Sequence, residues 1–224
     1  SGYGFILNLS GEIYTGLEHR NSTLLMAPYY AMPNLNHSND EDYIKLLGLI
    51  SHEFFHTWNV KRIKPQAFTP YNVAEENYTK LLWWFEGVTS YYDDLVLYRT
   101  GIIDQAQYLN IIVENLNNVY KFAGVTQQSV ANSSLTSWVK YYRQDENSPN
   151  SIVSYYVKGS LVALCLDLLL RSKSQFSLDS VMLHLFKLWQ VNPIGVAENE
   201  FPALIQAATG VDLAEFIQKA TETT

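Results

Sequence analysis

Two histidines four residues apart, with a glutamate directly after the first, constrain this chain more than any other feature: His52-Glu53-Phe54-Phe55-His56. At about 3.6 residues per turn, the two imidazoles lie one above the other on a single face of an α-helix, where both can point at one metal ion. Glu53, about 100° further round the axis, can reach a water on that metal rather than the metal itself. The alternative is a partly exposed helix whose histidines merely share a face. A third ligand and a supporting set of partners decide between the two.

Composition removes several function classes. The chain has 224 residues, 47% of them hydrophobic, enough to bury a core as one large or two small domains. Fifteen basic against 22 acidic residues leave a net charge of −7. The basic residues are scattered except for Lys61-Arg62-Ile63-Lys64, which reads as local structure, so no nucleic-acid partner is expected. The single cysteine, Cys165, excludes an internal disulfide and a thiolate metal site. It lies in the apolar run Leu161 to Leu170 and is expected to be a buried packing residue. That run is short and contains Asp167, so it does not read as a membrane span. No signal peptide is visible, and the strand-like opening Tyr3 to Leu9 suggests a cytoplasmic protein or a piece of a longer one, with the cytoplasm slightly favoured.

Residues 3–30 read as short strands and turns broken by Gly11 and Gly16, and most of the remainder as helix. Ser38 with Glu41 gives a capping-box signal for a helix from about Asp40 to Val60, ended at Lys64-Pro65. Further helices are expected from Leu81 to Tyr98, from Asp104, its N-cap, to about Phe122, and over 152–171, 177–190, 197–208 and 212–221. The polar stretch 123–150 is long for a loop without structure of its own, a length usually functional or mobile.

The search for a third ligand leads to Trp83-Trp84-Phe85-Glu86-Gly87. A lone helical Glu is usually a solvated surface residue. Glu86 instead sits among large apolar residues, where an ionised carboxylate needs a compensating charge, and a metal held by His52 and His56 supplies one. Two His and one Glu with water in the fourth position form a recognised catalytic zinc set. Asp93, two turns beyond Glu86, could accept the far ring N–H of a ligand histidine; with Asp94 it could equally be a hydrated acidic pair. His184 reads as a packing or half-exposed residue, His37 as exposed, and Arg62 as a helix-end cation or a carboxylate partner in the site.

Residues 52–65, His-Glu-Phe-Phe-His-Thr-Trp-Asn-Val-Lys-Arg-Ile-Lys-Pro, together with Phe85-Glu86-Gly87-Val88-Thr89-Ser90-Tyr91-Tyr92, resemble the catalytic domain of the glycyl aminopeptidase family, zinc peptidases of the gluzincin group that commonly carry a PDZ domain. The resemblance takes in Gly16 to Ser22 and Tyr155-Tyr156-Val157-Lys158-Gly159. It implies an α+β, predominantly helical, zincin-like domain with a small N-terminal β-sheet whose edge faces the metal helix. Residues 1–35 form the β-rich edge, 36–122 the helices carrying one Zn2+, and 123–224 a helical C-terminal part, the whole expected to be a piece of a longer chain that meets other domains. A more distant likeness to the aminopeptidase N family implies that Glu18 binds the free amine of a peptide substrate, and that Tyr156 rather than Tyr155 stabilises the tetrahedral intermediate. A strand-edge surface residue is the plainer account of Glu18. His19 could line the substrate cleft, orient Glu18 or contact solvent.

With Glu53 as the base, these roles describe removal of N-terminal residues, small ones such as glycine by family likeness. A thermolysin-type endopeptidase and a catalytically silent peptide-binding domain remain open as alternatives.

Overall fold

The computed structural model describes residues 2–33 and 41–224. The capping signal at Ser38, the helix start at Asp40 and His37 lie outside those residues. Three strands come first: β1 (Gly4–Ser10), β2 (Thr15–Glu18) and β3 (Ser22–Pro28). β3 is central, parallel to β1 and antiparallel to β2, with Gly16 opposite Leu25 and Leu17 opposite Leu24. Alternation along β3 turns Thr23, Leu25 and Ala27 inward. Ala27 and Ala31 bury Leu46 of helix α1 (Glu41–Phe55). The opposite face carries Ile6, Leu24 and Leu17 side by side across the three strands, all exposed. β2 is therefore an edge strand that packs against α1, which carries His52 and leads directly into His56.

The rest is helical: α2 (Leu82–Phe85), α3 (Gly87–Arg99), α4 (Gln105–Tyr120), α5 (Val130–Leu135), α6 (Ser148–Ser151), α7 (Val157–Lys173), α8 (Leu178–Val191), α9 (Phe201–Thr209) and α10 (Ala214–Glu222). Together with the sheet this is the α+β, mostly helical fold expected. The N-cap at Asp104 is present as a full capping box with Gln107. Trp83, Trp84 and Phe85 are buried around Phe201, with Trp84 stacked on it at 4.1 Å between ring centroids. This anchors the backbone immediately before Glu86.

Several expectations need correction. The helix over 81–98 is two helices meeting at Glu86. Asn59 supplies the reason, because its side-chain amide donates to the carbonyls of Trp84 and Phe85 and to the Thr89 hydroxyl. The stretch 123–150 holds α5, α6 and a single π-turn over Ser137–Tyr141, so it is structured rather than a bare loop. Cys165 is exposed, since Leu161, Cys165 and Leu168 share one face of α7 and that face is turned outward. Arg62 donates to the Thr57 carbonyl at 2.6 Å, just past the end of α1, and lies over the Trp189 ring, which is a helix-end role and not a contact with a site carboxylate. No helix among the described residues is long and apolar enough to cross a membrane.

Candidate metal centre and active site

α1 carries His52 and the turn directly after it His56, with ring centroids 4.7 Å apart, and both Nε2 atoms lie 3.3 Å from one oxygen of Glu86. The three groups offer ligand atoms within 4.8 Å of one another. Each ring is fixed from behind. His52 Nδ1–H donates to Asp93 at 2.9 Å, and His56 Nδ1–H donates to the Asn59 carbonyl at 2.8 Å. Both Nε2 lone pairs are thereby directed at the same point as the carboxylate oxygen, which is the donor arrangement a divalent metal ion requires. Asn59 serves twice, since its carbonyl holds the His56 ring while its amide holds the backbone leading into Glu86. Nothing in its position in the sequence marks it beyond the motif that contains it.

The electrostatics match. Burial opposes a proton on His52, but hydrogen bonds and charge from Asp93 and Glu86 outweigh it and carry the pKa up to about 10. Burial likewise opposes the charge on Glu86, and the two imidazoles beside it hold its carboxyl well below the usual range. Without a metal, the same groups thus form a buried imidazolium–carboxylate cluster. Asp93 is not part of a hydrated pair with Asp94, because its other oxygen accepts from the Asp94 backbone N–H.

Glu53 is 4% exposed and lies against Gly16 of β2, with a carboxylate oxygen within 4.8 Å of a His56 ring nitrogen. Burial raises its pKa, against the pull of His56 and His52. A Cβ at Gly16 would run into the Glu53 carboxylate, so any side chain there would displace the Glu53 carboxyl group from its place. Two residues on, Glu18 is half-buried, and one of its carboxylate oxygens falls within 4.8 Å of ligand atoms of Glu53 and His56. Lys61 Nζ pairs with Glu18 Oε1 at 2.9 Å, an ion pair not foreseen from the basic run. His19 is exposed, its ring turned to the Leu17 carbonyl, and it does not line the cavity.

Tyr156 stands directly before α7 with its ring 6.2 Å from that of His52, whereas Tyr155 is buried beneath it at 1% exposure. Burial and then the Glu86 charge hold the Tyr156 phenol far above its ordinary pKa, so it keeps its proton. Its distance from Glu86 is set by a close helix crossing. A Cβ on Gly87 would lie 2.6 Å from Gly159 Cα, and one on Gly159 would lie 2.9 Å from Gly87 Cα. These are the glycines next to Glu86 and three residues after Tyr156.

The groups enclose a cavity of about 410 Å³ lined by Gly16, Glu18, His52, Glu53, His56, Glu86 and Tyr156, with Tyr142 at its wall. Such a site can hold a metal ion beside a buried base, a phenolic donor and a carboxylate one strand-step away.

Residues 45–162 match the family model described as M61 glycyl aminopeptidase. The fold is similar to the crystal structure of an aminopeptidase N family protein from Idiomarina loihiensis, with a TM-score of 0.94 and 42% sequence identity over 99% of this chain and 38% of that one. The chain thus spans little more than a third of that protein's length. No curated protein matches the chain.

Proposed function

Since the chain belongs to the M61 glycyl aminopeptidase family, we propose that it is the catalytic part of a zinc aminopeptidase that removes N-terminal residues, small ones such as glycine among them, from peptides. The observation that carries this reading is the convergence of His52, His56 and Glu86 beside the buried Glu53. Two histidines and a carboxylate, with no thiolate, suit zinc, and His52, His56 and Glu86 would hold it. Bound there, zinc would supply Lewis acidity toward the scissile carbonyl and lower the pKa of a coordinated water.

The chain's own residues do the rest. Glu53 takes a proton from the attacking water and returns it to the leaving amine, and its raised pKa suits a group that must do both. Tyr156 donates a hydrogen bond to the oxyanion as it forms, a contact worth about 3 kcal/mol in comparable sites. Glu18 pairs with the substrate's α-ammonium through the oxygen not engaged by Lys61 and so places the first peptide bond at the base. Asp93 and Asn59 keep both imidazoles in the tautomer that binds metal. The free edge of β2 supports an extended substrate pairing alongside it. The exposed stripe of Ile6, Leu24 and Leu17 supports a neighbouring domain of the same longer chain packing on the outer sheet face.

The experiment compares one peptide with a free N-terminus and the same peptide N-acetylated. Cleavage of the first alone is expected, because acetylation removes the charge that Glu18 reads. Equal cleavage of both would replace the aminopeptidase reading with an endopeptidase one.

A further inference from the structure

Tyr142 does not belong to any motif that points to the site, yet its hydroxyl lies 3.1 Å from that of Tyr156 and its side chain forms part of the cavity wall. Its own side chain is exposed, but the backbone beneath it is pinned. The Tyr141 and Ser154 hydroxyls lie 3.1 Å apart, and the Tyr141 ring packs at 4.7 Å on Tyr155 and 5.8 Å on Tyr156. The π-turn over Ser137–Tyr141 therefore delivers one phenol to another at a fixed place.

A phenol has a single proton to donate. If Tyr156 gives its proton's hydrogen bond to an oxyanion, it cannot give it to Tyr142 as well, so the short contact between them must then run the other way. Resting on the reading of Tyr156 as oxyanion donor, we propose that Tyr142 is a positioning residue of the reaction: its O–H donates to the Tyr156 oxygen, turning the Tyr156 O–H toward the cavity. A donor that itself accepts a hydrogen bond is the stronger donor, so the pair acts as a chain from Tyr142 through Tyr156 to the oxyanion. Tyr142 neither gains nor loses a proton in the cycle, and it touches the substrate only through Tyr156.

A double-mutant cycle on the zinc-loaded, full-length protein tests this, with an unblocked glycyl or alanyl amide as substrate. Tyr142→Phe is expected to lower kcat about 3- to 10-fold, the worth of one neutral hydrogen bond, with KM and zinc content unchanged. Tyr156→Phe should lower kcat by roughly 100-fold or more. The double variant should fall no further than Tyr156→Phe alone, because Tyr142 has nothing left to orient. An unchanged kcat in Tyr142→Phe beside an impaired Tyr156→Phe overturns the positioning role and leaves the function standing. Losses that multiply in the double variant also overturn it, since Tyr142 would then act independently. Full kcat in Tyr156→Phe removes the oxyanion reading and the inference with it.

Discussion

Replacing Glu53 by glutamine is expected to lower turnover roughly 10²- to 10⁴-fold, the range of general acid–base catalysis, while leaving the bound metal in place. The two effects separate because Glu53 is not one of the three proposed ligands. His52, His56 and Glu86 converge on one point, and Glu53 lies beside them with its carboxylate against Gly16. Glutamine fills the same space and keeps the fit against the edge strand, but it cannot accept and return a proton. Metal content and folding measured beside kcat make the test specific. Wild-type turnover in a metal-loaded Glu53→Gln protein would sink the assignment of Glu53 as base.

Glu86→Gln should act on the metal instead. It removes the only anionic ligand of the three, and metal affinity is expected to fall more than about 100-fold, beyond what loss of an outer partner costs. The metal-free protein should feel the change as well, in a pH-dependent way. His52 has a folded-state pKa raised from 6.5 to about 10, so its contribution to stability is fully present below 6.5 and is lost as pH rises through 10. The Glu86 carboxyl is depressed, so its contribution is present above its ordinary value of 4.5 and is lost at lower pH. The two windows overlap between about pH 5 and 6.5, where breaking the buried cluster should cost on the order of 3 kcal/mol. At pH 10 the difference between wild type and variant should shrink. Denaturant unfolding of chelator-treated proteins at both pH values, with metal titrations, reads both effects. Equal metal affinity in the variant would remove Glu86 from the ligand set.

The parts of this site legible in the sequence were those governed by helical period. His52 and His56 share a face because four residues make about one turn, and Asp93 sits behind His52 because its helix presents it there. The helices expected from about Asp40 to Val60, from Asp104 to about Phe122 and over 177–190 are present over 41–55, 105–120 and 178–191, the first ending at Phe55 rather than Val60. What escaped the sequence depends on contacts between distant segments. The break at Glu86 is made by Asn59, an asparagine 25 and 26 residues before the Trp84 and Phe85 carbonyls that it takes. Cys165 lies in an apolar run, but a run apolar on every face does not say which face is covered. Lys61 reaches Glu18 only because the chain beyond α1 turns back toward the sheet. Tyr142 meets Tyr156 through a single irregular turn whose residues carry no periodic signal. Gly16, Gly87 and Gly159 read from sequence as breakers or motif letters, whereas the fold uses them as points of close approach that set the spacing of base, ligand and phenol.

Zinc titration into chelator-treated protein, with hydrolysis of an N-terminally free peptide followed at each addition, tests whether the chain is a zinc aminopeptidase. No turnover is expected at the start, then a linear rise to a plateau at one zinc per chain, and no rise in Glu86→Gln over the same range. Turnover that survives complete removal of the metal would contradict that reading.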